Sequence, residues 1–194
     1  MVSIDQVKQL RKETNVSVID CKKALEEAEG DMEKAREILR KWGKEVASKK
    51  VGREAGQGII ASYIHPNKKI GVMVQLNCET DFVARNEQFQ KLAHEICLQI
   101  AAMGPRYVKE GDVPEEFLEG EKEIYREQFK DSGKPQKIID EIIEGKLRKY
   151  KQEISLLSQA WIKDENKTIG DLINEYINLL GENIVVKRFV RYEI

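Results

Sequence analysis

The stretch IGVMVQLNCETDFVARNEQFQKLAHEICLQIA, residues 70–101, changes its apolar period in the middle. Ile70, Val72, Val74 and Leu76 alternate with other residues, the period-two pattern of a strand with one buried face. From Phe89 the apolar positions fall at Leu92, Ala93, Ile96, Cys97, Ile100 and Ala101, the stripe of an amphipathic helix. A strand therefore feeds a helix, and the residues between them, Glu79 to Asn86, form a junction. Gly104-Pro105 ends the helix.

Upstream, Ile59, Ala61 and Tyr63 alternate with Ile60, Ser62 and Ile64. His65-Pro66-Asn67 turns the chain, so this second strand makes a hairpin with the first. Residues 44–56 carry Lys44, Lys49, Lys50 and Arg53 with almost no large apolar side chain, a linker composition. Before them lie three short helices. Ser3 with Gln6, and Ser17 with Asp20, are capping pairs ahead of apolar stripes containing Leu10 and Leu25. Gly30 breaks the chain, Asp31 caps the third helix, and Gly43 is placed as its stop.

Downstream, two charged helices are expected near 114–131 and 136–157, separated by Ser132-Gly133-Lys134-Pro135, an exposed helical hairpin. Thr168 and Asp171 precede a further helix that ends at Gly181, and Ile184 to Ile194 reads as a third strand. The expected fold is α+β: a three-helix domain (1–43), a basic linker (44–56), and a core (57–194). That core combines a three-stranded antiparallel sheet with helices and the hairpin 114–157.

Charge and composition narrow the function. Lys plus Arg number 33 and Asp plus Glu 34, a formal net charge of -1. A chain held mainly by nucleic-acid phosphates carries a basic excess, so the expected partner is a protein and not a nucleic acid. An RNA-binding reading through Lys49, Lys50, Arg53 and the final strand is the competing one. No apolar run approaches the ~20 residues of a membrane span. The N-terminus lacks the pattern of a signal peptide. Cys21, Cys78 and Cys97 form neither a CxxC pair nor an even set, which points to a reducing cytoplasm without disulfide or zinc. His65 and His94 sit in no activating constellation, and phosphate-loop and dinucleotide fingerprints are missing. The chain is expected to catalyse no covalent chemistry and to need no cofactor.

Phe82 admits two readings: a core aromatic, the common fate of such rings, or a wedge that protrudes beside Asp81 into a partner. Arg11 and Lys50 read as solvated charges. Val18 and Ile19 fit the second helix, but adjacent positions cannot both face one core, so at least one is exposed. Cys21 reads as a small core residue.

Cys78-Glu79-Thr80-Asp81-Phe82-Val83-Ala84-Arg85-Asn86 resembles the signature of the elongation factor Ts family. Leu10-Arg11-Lys12-Glu13-Thr14 and Asp20-Cys21-Lys22-Lys23-Ala24-Leu25 are similar to its first-domain motif. The likeness continues through Gly133-Lys134-Pro135, Glu144-Gly145-Lys146-Leu147 and Gly181-Glu182-Asn183-Ile184, in order along the chain. Asn15 stands where the family often has Gly, Gln75 where it has Glu, and Ala160-Trp161 where Pro-Phe is common. The resemblance implies a first domain laid out like ubiquitin-associated bundles. It also implies a nucleotide-exchange factor for elongation factor Tu, bound in its GDP-loaded and nucleotide-free forms. The contact set it implies is Asp81, Phe82, Thr80, Val83, Arg11, Val18, Ile19 and Lys50. Within that set Asp81 and Phe82 intrude beside the partner's magnesium, while Thr80, with Arg85 and Asn86, shapes the tip. Longer relatives carry a doubled core, so a homodimer is expected of this shorter chain.

Overall fold

The computed structural model describes residues 2–14, 16–130, 133 and 135–194. In chain order the elements are α1 (Ile4–Thr14), α2 (Val18–Glu27), α3 (Met32–Lys50), β1 (Gln57–Ile64), β2 (Ile70–Cys78), α4 (Asp81–Ala84) and α5 (Glu87–Met103). There follow α6 (Glu115–Phe129), α7 (Gln136–Glu153), β3 (Ala160–Trp161), β4 (Asp164–Thr168), α8 (Ile169–Leu180) and β5 (Val185–Glu193). Expectations attached to Asn15, Ser132 and Lys134 lie outside the described residues.

Each N-terminal helix starts where a short polar side chain satisfies free amides. The Gln6 N–H donates to Ser3 Oγ at 3.1 Å, and the Ser3 N–H to Gln6 Oε1 at 3.0 Å. Ser17 Oγ accepts from the Asp20 N–H at 3.1 Å, and Asp31 Oδ1 accepts from the amides of Glu33 and Lys34. Gly30, at φ +87°, reverses the chain between α2 and α3. Leu10, Cys21, Ala24, Leu25, Ala35 and Leu39 then close one apolar core drawn from all three helices.

Gly43 does not stop α3, which runs on to Lys50. Residues 44–50 of the expected linker are therefore helical, and the stretch without helix or strand is 51–56. Gly43 is buried, and a Cβ there would stand 2.5 Å from Asn178 Nδ2. The missing side chain makes room for α8. Glycine inside a helix costs only about 1 kcal/mol relative to alanine, too little to end a helix that is packed on that side. Lys44 Nζ lies 2.8 Å from the Asp171 carboxylate and strengthens the same contact.

β1, β2 and β5 form an antiparallel sheet in the order β1-β2-β5. Val72, Val74, Leu76 and Cys78 of β2 are buried, while Ile60, Ser62 and Ile64 of β1 face solvent. The α5 stripe is buried along its length, from Phe89 to Ala101. α6 buries no residue and α7 buries Ile139 and Ile143, as suits an exposed helical hairpin. α7 ends at Glu153, short of the expected 157, because Ser155 pairs with Tyr107 in an isolated bridge.

A second, two-stranded sheet of β3 and β4 adds to the expected three strands. Buried Gln99 organises it from α5. Its Nε2 donates to the Ala160 carbonyl at 3.0 Å, and its Oε1 accepts from the Ile162 N–H at 3.0 Å. Two compact units contain these elements. One comprises described residues of 1–61, 75–95 and 171–187; the other, 62–74, 96–170 and 188–194.

Gly58, at φ +149°, lies against β2: a Cβ would overlap the Leu76 carbonyl oxygen and stand 2.7 Å from Asn77 Cα. Backbone cannot swing aside as a side-chain end can. Gly58→Ala is expected to lower stability by at least ~2 kcal/mol, read from the urea unfolding midpoint.

Candidate functional site

The junction between β2 and α5 is built from two caps back to back. Thr80 is extended (φ -124°, ψ 159°), and its Oγ1 accepts from the Val83 N–H at 3.4 Å to open α4. Asn86 Oδ1 accepts from the Gln88 N–H at 2.8 Å and opens α5. Between the caps stands a single helical turn. Ala84 is buried, and residue 82 lies two positions earlier, about 200° around the helix. Phe82 is therefore driven outward and is 81% exposed. It is not a core residue. Val83 is half-buried beside it.

Asp81 Oδ2 accepts from Arg85 Nη2 at 2.7 Å, one turn along the surface. Exposed pairs of this spacing contribute roughly 0.3–0.5 kcal/mol, so an incoming group can displace Arg85 at little cost. The tip thus offers a large apolar face and a carboxylate whose bond is easily exchanged.

Beneath the tip, side chains from distant parts of the chain converge. Glu182 Oε2 accepts from the amides of Glu79 (3.0 Å) and Thr80 (2.9 Å), and its Oε1 from the Thr80 hydroxyl (2.6 Å). In return Glu79 Oε1 accepts from the Asn183 N–H at 2.7 Å and lies 3.6 Å from Arg53 Nη1. Asn183 Nδ2 donates to the Arg53 carbonyl at 2.9 Å, and Asn77 Nδ2 to the Ala55 carbonyl at 2.8 Å. The Cys78 thiol donates to the Thr80 carbonyl at 3.1 Å. Residue spacing does not reveal Glu79, Glu182 and Asn183 as a group, because about a hundred residues separate them. The only local hint is a polar pair directly after the helix-ending Gly181.

Lys50 joins this network rather than open surface. Its Nζ donates to the Ile177 carbonyl at 3.4 Å. Burial pushes its ammonium below the ordinary value, Arg53 acts the same way, and Glu79 and Glu182 oppose them. Arg11 lies exposed on α1. Val18 and Ile19 are both exposed, at 48% and 66%, since Cys21, Ala24 and Leu25 occupy the inward face of α2. Thr80, Asp81, Phe82 and Val83 are thus gathered at the tip, Lys50 beneath it, and Arg11, Val18 and Ile19 on the outer surface of the bundle. His65 and His94 are exposed. Among the described residues, no cluster of potential metal ligands occurs and no helix is long and apolar enough to cross a membrane.

The family model described as Elongation factor TS matches residues 4–194. Among curated relatives, proteins named Elongation factor Ts are similar to this chain along its whole length. The one from Thermosipho melanesiensis is 58% identical over 194 residues, covering 100% of this chain and 99% of the relative. Those from Coprothermobacter proteolyticus and Thermotoga neapolitana are 56% and 55% identical over 193 residues, covering 98% and 97% of the relatives. Each of these two matches covers 100% of this chain.

The buried thiols Cys78 and Cys97 give the fold a pH signature. Burial pushes Cys78 up to about 11 from an ordinary 9.0, with the Glu182 charge the next cause, and burial alone does the same for Cys97. Below pH 9.0 the thiols are protonated in folded and unfolded chains alike, and their contribution to stability is complete. Between pH 9.0 and about 11 the unfolded chain ionises first, so stability falls through that window. Urea midpoints measured across it are expected to decline. A thiol-specific chromophore at pH 8 is expected to react slowly with the native protein and at once after unfolding.

Proposed function

We propose, because this chain belongs to the elongation factor Ts family, that it is a guanine-nucleotide exchange factor: it binds elongation factor Tu during translation elongation and promotes release of GDP. It acts in the cytoplasm by coupling two binding equilibria and makes no covalent bond. A factor that prefers the nucleotide-free partner must weaken nucleotide binding by the same factor by which nucleotide weakens its own.

The exposed Phe82 ring on its doubly capped turn is the observation that carries this reading. Arg11, Val18 and Ile19 supply a docking surface on the nucleotide-binding domain. Phe82 then wedges into the partner, and Asp81 exchanges Arg85 for polar groups around the partner's magnesium and phosphate site. Thr80 and Val83 complete the tip. Lys50 engages the partner only by leaving the Ile177 carbonyl.

Magnitudes support the sufficiency of so small a tip. A thousandfold faster release requires about 4 kcal/mol off the barrier. Burial of one Phe side chain yields about 1.5–3 kcal/mol. Disturbing one charge-assisted hydrogen bond at the metal adds roughly 1.5–3 kcal/mol. Ring and carboxylate together reach the requirement, and the bundle contacts add to it.

A second feature favours self-association. Ile64, Met73, Tyr192 and Ile194, all of the second compact unit, are exposed on or beside its strands. Exposed apolar strand surface of this kind suits a symmetric contact between two copies. Light scattering is expected to give a dimer at micromolar concentration, and Met73→Glu to shift it toward monomer; a monomeric unsubstituted chain removes the contact.

Phe82→Ala and Asp81→Ala are expected to slow factor-stimulated release of a fluorescent GDP from elongation factor Tu. Both positions are outside the core, so unfolding free energy is expected to change by no more than about 0.5 kcal/mol. Unchanged release with both substitutions rejects the tip. A loss of about 3–5 kcal/mol for Phe82→Ala returns the ring to the core.

A further inference from the structure

We propose that Glu182 is a positioning residue for nucleotide exchange, holding Thr80 in the one geometry that presents Phe82. The proposal rests on the tip reading above and assigns it a support remote in sequence. All the groups involved belong to one compact unit.

α4 is four residues long. A single helical turn fixes many dihedrals for one or two hydrogen bonds and does not hold itself together. Its N-cap bond, from the Val83 N–H to Thr80 Oγ1, is 3.4 Å, beyond the usual range for a strong N–H···O bond. The turn, with Ala84 inward, points the ring outward, but a single turn with so long a cap bond does not keep itself formed. Packing of the ring itself does not hold the turn either, because Phe82 is exposed.

Glu182 supplies what is missing. A threonine hydroxyl has one proton and two lone pairs. At 2.6 Å from Glu182 Oε1, the proton is committed to the carboxylate, which leaves lone pairs for the Val83 amide. The hydroxyl is thereby held as an acceptor, the role a cap requires. The other carboxylate oxygen takes the amides of Glu79 and Thr80, and so fixes the backbone on which the hydroxyl is mounted. A carboxylate is suited to this duty because it accepts at both oxygens and donates at neither.

Glu182 is itself held by the return bond from the neighbouring Asn183 N–H to Glu79. The two acidic side chains cross between the same two segments: Glu182 accepts the amides of Glu79 and Thr80, and Glu79 accepts the amide of Asn183, the residue after Glu182. Arg53 and Lys50 bring positive charge to the pair. The segment after α8 and the segment before α4 are thus clasped together. Truncating Glu182 leaves two part-buried amides without their acceptor and frees the hydroxyl to turn.

The test measures GDP release from elongation factor Tu across a range of factor concentrations, separating the maximal stimulated rate from the half-saturating concentration. Glu182→Ala and Thr80→Val are expected to lower the maximal rate about tenfold, as misplacement of an acting group does. The half-saturating concentration, set by the bundle surface, is expected to stay within about twofold. Thr80→Ser keeps the hydroxyl and is expected to restore the rate. A merely structural role would not produce this split or rescue. Because Glu182 acts through the ring, Glu182→Ala combined with Phe82→Ala is expected to be no slower than Phe82→Ala alone. Additive losses overturn the proposal, as do full rates in Glu182→Ala and Thr80→Val beside a slow Phe82→Ala. Should Glu182→Ala not fold, Thr80→Val, which removes one hydroxyl, decides the matter. A fast Phe82→Ala shows instead that the tip reading itself is wrong, and the proposal falls with it.

Discussion

A large aromatic ring held in water is the constraint to which the first compact unit answers. Left exposed, Phe82 forfeits about 1.5–3 kcal/mol that burial would return, so the chain has a standing incentive to fold it inward. Apolar packing cannot oppose that incentive, because a ring that touches little is not aimed by its contacts. Direction has to come from the backbone, and the backbone of one helical turn has to be fixed by polar groups at its ends. The Thr80 and Asn86 caps and the Glu182 carboxylate beneath them meet that need.

The same polar junction meets the helices of the N-terminal bundle. α3 continues past Gly43, lies close to α8 at Asn178 and Asp171, and brings Lys50 near Glu79 and Glu182. The ammonium that ends α3 and the carboxylates that hold the tip therefore share one electrostatic neighbourhood. In the exchange reading, the bundle that docks and the turn that wedges are parts of one folded unit.

Much of this was legible because it is local. Ser3, Ser17 and Asp31 announce helices through bonds to amides two or three residues away, and the structure contains those bonds. The alternation of β2 and the stripe of α5 are repeated patterns that one face of a core enforces. Gly43 misleads for a physical reason: its local cost is small, and the benefit of close approach to Asn178 comes from 135 positions along the chain. The β3–β4 pair was not legible because Gln99, a polar residue within an apolar helix, organises it. Phe82 is the sharpest case. Residue statistics favour burial, the resemblance favours exposure, and the carboxylate that supports exposure lies a hundred residues downstream.

The central claim is that this chain loosens a nucleotide held by another protein, and the rate of that loosening is its direct measure. Elongation factor Tu loaded with fluorescent GDP is mixed with excess unlabelled nucleotide, with and without the unsubstituted chain. The account predicts that release accelerates with added chain and saturates at a rate orders of magnitude above the spontaneous one. The same slow release at every concentration of the chain would contradict it.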